Sequence, residues 1–164
     1  MCVVVATFSV RVLNESVADF LDDAADLTLR FLADREGLTV SAASVLNRVG
    51  REGPMRLTTL AAREGVSQPS MTQLVQRLER QGLMDRCSDP TDGRVTLVAI
   101  TPAGREALAH RRQVREYRLT QLLETLTHEQ QRLLWLSATA ASPVVRQLVE
   151  HAEHRLTAGH ELGD

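Results

Sequence analysis

The chain has 164 residues, of which 43% are hydrophobic and 24% charged, a composition that fits one folded domain with a helical extension and excludes disorder as the main state. Its 21 acids outnumber 19 basic residues, all of them arginine, and a net charge of −2 does not by itself suggest a nucleic-acid binder. No apolar run approaches the roughly 18 residues of a membrane span, the apolar start lacks the basic residues of a signal peptide, and Cys2 and Cys87 have no paired spacing, so a reducing cytoplasm is the expected setting.

Residues 2–12 are apolar at every even position, but Val3 and Val5 spoil the alternation, and residues 1–13 read as a tail of undecided order. From Asn14, a candidate N-cap, Val17, Phe20, Leu21, Ala24, Thr28, Phe31 and Leu32 follow one helix face, with an acidic face opposite. Gly37 ends that helix. Thr39 caps a second, which carries Val40, Ala43, Leu46 and Val49 and stops at Gly53-Pro54. A short helix from Thr58 to Glu64 is followed by Gly65 as a left-handed turn residue. Ser67 caps the next, with Pro69 in its first turn and Met71, Leu74, Val75 and Leu78 as its buried stripe.

After Gly82, Leu83 to Cys87 reads as a strand, Asp89-Pro90-Thr91-Asp92-Gly93 as a turn, and Arg94 to Thr101 as a second strand, giving a β-hairpin. Thr101-Pro102 opens a long helix to about residue 126. Thr127 and Gln130 form a capping box for another, which Ser142-Pro143 interrupts and restarts. The last residues, 158–164, are expected to fray. The fold class is therefore mainly α with a small β-hairpin wing. A winged helix-turn-helix lobe spans residues 39–101, flanked by a helical region made of residues 14–38 and 102–157.

Two short helices joined by a glycine turn and followed by a hairpin suit a DNA reader. Away from its buried stripe, the second short helix shows Ser67, Gln68, Ser70, Thr72, Gln73, Gln76 and Arg77. Glutamine can pair bidentately with adenine, and arginine reaches guanine or phosphate in a major groove about 12 Å wide. Arg86 and Arg94 flank a tight hairpin tip, where a cation can enter a minor groove, and Asp92 is spaced to hold the Arg94 guanidinium in a bidentate pair. Charge supports this: residues 54–105 carry seven arginines against five acids, net +2, while the segments on either side are acidic.

Leu60-Ala61, Gly65-Val66-Ser67, Leu78-Glu79, Gly82-Leu83, Arg86, Asp89-Pro90-Thr91-Asp92-Gly93-Arg94 and Ile100-Thr101-Pro102-Ala103-Gly104 together resemble the MarR family of bacterial transcription regulators. The resemblance covers roughly residues 39–108. It implies a homodimer with interlocked first and last helices and a recognition helix in a major groove with its wing in the adjacent minor groove. It also implies a small, often aromatic or phenolic, effector that releases a repressor from an operator. It assigns the recognition helix to Ser67 through Arg77 and the wing role to Asp92 and Arg94. The chain departs from the family pattern at Gly93 and Gln73, where arginine is common, so adenine reading replaces guanine reading at Gln73. Glu64 stands where an apolar residue normally packs, and its carboxylate is expected to stay in water.

No nucleophile–base pair or phosphate-binding glycine loop appears, so no enzyme and no cofactor are expected. Two other readings remain open: a winged-helix module that binds protein, and a metal-sensing regulator using His151 and His154, i and i+3 on the last helix. Cys87 is read as an incidental thiol and Trp135 as interface packing.

Overall fold

The computed structural model describes residues 9–33 and 37–160, apart from the side chains of residues 153, 154 and 156–160. Helix α1 runs Val10–Asp26 and continues as a wider π-helical turn, Leu27–Leu32. Helices α2 (Val40–Glu52), α3 (Leu57–Arg63) and α4 (Gln68–Arg80) follow, then strands β1 (Met84–Ser88) and β2 (Thr96–Ile100), and finally α5 (Pro102–Leu123) and α6 (His128–His160). The strands pair antiparallel, Met84 opposite Ile100 and Ser88 opposite Thr96. Met55 adds a short third rung, exchanging two backbone hydrogen bonds with Val98. Among the described residues no helix is long and apolar enough to cross a membrane.

The core lies inside the lobe made by α2, α3, α4 and the hairpin. Val45, Leu46, Val49, Leu60, Met71, Val75 and Leu78 are fully buried there, against Met84, Val98 and Ile100. Burial of each large side chain contributes on the order of 1.5–3 kcal/mol. The α4 stripe expected from the sequence faces this core, with Leu74 half-buried at its edge.

Four of the expected caps are present; Asn14 and Ser142 lie inside helices and cap none. Thr39 Oγ1 accepts from Ala42 N–H at 3.2 Å, Ser67 Oγ from Ser70 N–H at 3.4 Å and Thr101 Oγ1 from Gly104 N–H at 3.0 Å. Thr127 and Gln130 exchange the two bonds of a capping box, at 2.9 and 3.3 Å. Gly65 and Gly82 adopt φ of +64° and +71°, which closes α3 and α4 with two backbone bonds each.

Several boundaries differ from the sequence reading, among them β2, which starts at Thr96 rather than Arg94. Helix α1 begins at Val10, not Asn14, because Val10 and Leu13 extend the same apolar face backwards and Arg11 pairs with Glu15 at 2.8 Å. The rest of the supposed tail, residues 1–8, lies outside the described residues. Helix α5 stops at Leu123 and turns through Leu126. Pro143 does not break the last helix: α6 is continuous across it. Proline there removes one donor and crowds the preceding turn. That turn is small and exposed, and Ser142 Oγ and Thr139 Oγ1 bond back to the carbonyls of Ala138 and Trp135, at 2.6 and 2.8 Å.

Helix α5 packs on the lobe through Leu108 and is pinned to it at its first turn. Thr101 Oγ1 donates to Gly82 O at 2.6 Å, Thr101 N–H donates to Leu83 O at 3.1 Å, and the α5 backbone at Gly104 presses on Leu83. A Cβ at Gly104 would lie 2.2 Å from Leu83 O, a backbone atom that cannot yield. Gly104→Ala is therefore expected to lower unfolding free energy by about 3 kcal/mol or more. Gly50→Ala, whose new Cβ meets nothing nearer than 3.7 Å, should be neutral or stabilising by about 0.5–1 kcal/mol. Urea denaturation of both variants checks this, and equal midpoints would refute the close approach.

Candidate nucleic-acid interface

Helix α4 presents one continuous exposed face. Gln68, Ser70, Gln73, Gln76, Arg77 and Arg80 are all exposed, while Thr72 is half-buried. Ser67 is committed to capping and shares a 2.9 Å hydrogen bond with Ser70 Oγ. Thr72 Oγ1 donates back to Gln68 O at 2.8 Å, so its donor is used within the helix. Among the described residues, the unengaged amides and guanidinium groups of the face therefore belong to Gln68, Gln73, Gln76 and Arg77, joined by Arg80, whose Nε donates to Gln76 O at 3.3 Å and leaves its terminal nitrogens open. Sequence reasoning overlooked Arg80, although it lies three residues beyond Arg77 and seven beyond Gln73 on one helix face.

The wing residues separate into two roles. Arg86, at the base of the hairpin, is bound to Glu79 of α4, with Nε at 2.7 Å and Nη2 at 3.4 Å from the carboxylate. That partner raises the Arg86 pKa above its ordinary value. The side chain braces the wing against α4 rather than standing free. Arg94 is in the exposed tip, just before β2. The expected Asp92–Arg94 guanidinium pair does not form: Asp92 Oδ1 instead accepts from the Arg94 backbone N–H at 3.1 Å, because the tight turn brings backbone, not side chain, over the carboxylate. The Arg94 guanidinium thus meets no carboxylate among the described residues.

Asp89 orders the other side of the tip. Its Oδ1 accepts from Thr91 Oγ1 at 2.6 Å and Thr91 N–H at 2.8 Å. These bonds hold its carboxyl below the ordinary aspartate range. Because the folded pKa is depressed, this ordering is present at neutral pH and is lost as pH falls through the lowered value.

Glu64 overturns its expectation. Its carboxylate is not in water: its side chain is 12% exposed, and it accepts from Arg48 Nε and, at 2.7 Å, from Ser44 Oγ. Arg48, itself buried, also donates to Glu52 at 2.9 Å, and Glu52 binds Arg63 at 3.0 Å. An apolar site has become ionic because α2 supplies a cation at that height.

A crevice of about 350 Å³ separates the lobe from α5. Leu38, Ala42 and Leu83 give it an apolar wall, and Arg77, His110 and Arg111 converge on it. A second, of about 690 Å³, lies between α2 and α5 on the other side of Arg111, beside Arg112 and Arg115. Arg111 Nη1 is buried without a hydrogen-bond partner among the described residues. Cys87 is a half-buried free thiol. Among the described residues no three His, Cys, Asp or Glu groups are placed to hold a metal; the His154 side chain lies outside the description.

Residues 38–96 match the MarR family. An HTH-type transcriptional regulator of Mycobacterium bovis is 35% identical over 106 residues, 65% of this chain and 74% of its own. The chain belongs to the MarR family. The crystal structure of a Thermotoga maritima transcriptional regulator is 26% identical, with a TM-score of 0.61 over 85% of this chain and 95% of that one. The PcaV transcriptional regulator of Streptomyces coelicolor, solved with its natural ligand, is 26% identical with a TM-score of 0.50 over 90% and 99%. As a MarR-family member the chain is a DNA-binding transcription regulator, not an enzyme.

The Thr91–Asp89 contact gives a direct test of wing-tip geometry. Thr91→Val should return the Asp89 carboxyl toward the ordinary value of about 3.9. An NMR titration of the carboxyl carbon reads this, and an unchanged titration would refute the hydrogen-bonded tip.

Proposed function

We propose that this regulator is a ligand-responsive repressor that binds a pseudo-palindromic operator as a homodimer, in the cytoplasm. The observation that carries the homodimer is the apolar surface left open by the single chain. Phe20 on α1 is 51% exposed, and Leu133 and Trp135 on α6 are each 65% exposed. Contiguous apolar faces of this kind mark an interface. Val17, Phe20 and Leu21 on α1, and Val145, Leu148 and Val149 on α6, stay exposed at i, i+3, i+4 spacing, and a second copy of the same helices would supply the matching surface, as in the family.

In the dimer, two copies of α4 face half-sites about one DNA turn, ~34 Å, apart. Gln73, Gln76 and Arg77 read base edges, with Gln68 and Ser70 toward the backbone and Ser67 and Thr72 holding the helix start. Arg94 enters the minor groove at the wing tip, Asp92 fixes its turn, and Arg86 keeps the wing against α4. Arg94→Ala should weaken binding to most sequences alike and lower the salt slope by about 1, because one phosphate-directed cation is gone. Gln73→Ala should alter preference at one base position. Fluorescence anisotropy over a salt series, on DNA selected from a random library, separates the two; an unchanged slope removes the wing role, and a uniform loss for Gln73→Ala removes base reading there.

The effector reading rests on Arg111. A buried guanidinium nitrogen with no partner beside an apolar wall suits a small aromatic or phenolic acid, whose carboxylate would satisfy the cation. Occupying this crevice strains the seam between the lobe and α5 and releases the operator. Sedimentation velocity is expected to give twice the 18.2 kDa chain mass. A panel of aromatic acids should release operator from the wild type and fail on Arg111→Ala. A monomer that binds DNA, or release that survives Arg111→Ala, overturns the corresponding half.

A further inference from the structure

The ionic chain Ser44–Glu64–Arg48–Glu52–Arg63 lies outside both the reading face and the core. Its members come from two places. Ser44, Arg48 and Glu52 are one turn apart on α2, and Arg63 and Glu64 close α3. Every carboxylate oxygen in it is engaged: Glu64 takes Arg48 Nε and Ser44 Oγ on separate oxygens, and Glu52 takes Arg48 and Arg63 on separate oxygens. The inner pair is nearly dry, with side-chain exposures of 9% for Arg48 and 12% for Glu64.

Glu64 is the residue from which the chain turns toward the reading head. Gly65 follows it in the left-handed conformation and Ser67 then caps α4. Whatever fixes Glu64 fixes the point from which α4 departs. A buried ion pair is weak evidence for stability, since an apolar pair of similar volume often serves as well or better. Unlike an apolar contact, the forked guanidinium donates to its carboxylates in one register only.

We propose that Arg48 and Glu64 are positioning residues that set the angle of α4 on the operator, so that the chain's sequence discrimination depends on them more than its stability does. The inference rests on α4 as the recognition helix. The geometry requires Glu64 to be held on both oxygens: loss of either contact lets the turn pivot on Gly65 while the packed stripe of α4 keeps the lobe folded.

The test uses the full-length chain and the DNA that the wild type selects from a random library. Arg48→Met/Glu64→Leu replaces the pair by apolar side chains of similar size, and Glu64→Gln keeps shape and removes charge. The double variant is expected to melt no lower than the wild type. Its ratio of selected-site to random-DNA affinity should fall about tenfold, comparable to one mismatched base pair. Glu64→Gln should fall part of the way, and reselection with the double variant should return a broader consensus. An unchanged ratio and consensus in a folded double variant overturns the inference. So does a lower melting temperature with discrimination intact, which would make the pair a strut. If the wild type itself selects no sequence, the recognition-helix reading fails first, and the two failures are told apart.

Discussion

The hydroxyl of Thr101 hydrogen-bonds the lobe to the first turn of the helical arm, which Leu108 then packs against the lobe core. It donates to the carbonyl that ends α4 and accepts from the first turn of α5, while the Thr101 amide holds the carbonyl of Leu83 at the start of β1. Four elements meet there: recognition helix, both wing strands and the helix that leads away. The contact works because Gly104 has no side chain, letting α5 press onto the Leu83 backbone. The start of α5 is thus tied by direct hydrogen bonds to the end of α4 and to the base of the hairpin, beside the crevice between the lobe and α5.

Electrostatics is divided just as locally. The net charge of −2 averages an acidic frame with a basic lobe, and within that lobe the cations differ in kind. Arg48 is buried in an ionic chain and Arg86 is braced against Glu79, while Arg77, Arg80 and Arg94 face outward. Counting arginines overstates the DNA-facing charge. In the absence of lysine, every one of these tasks falls to a planar guanidinium, whose directional donors serve bracing as well as binding.

Much of the fold was legible because it is written in local chemistry. Caps at Thr39, Ser67, Thr101 and Thr127 and left-handed glycines at 65 and 82 need only their neighbours in sequence, so their roles survive unchanged in the structure. Pro143 shows the opposite case. Read locally, Ser-Pro restarts a helix, but α6 runs on through Pro143; the Thr139 carbonyl that loses its amide partner lies on an exposed turn, where water can take it, and Ser142 Oγ bonds back to Ala138 O instead of capping. Val10 was misplaced because residues 2–12 mix a period of two with one of 3.6, and the helix that forms decides which holds.

The sequence by itself determined the helix-turn-helix and wing, most of the exposed face of α4 (Arg80 apart) and the apolar faces of α1 and α6, since periodicity and capping depend on neighbours a few positions apart. Only the tertiary structure decided which charges are spent inside the molecule. Glu64 and Arg48 are sixteen residues apart, and Glu79 and Arg86 seven. No spacing rule links either pair; each forms because packing brings α2 to the end of α3, or the hairpin to α4, at the height of a complementary charge.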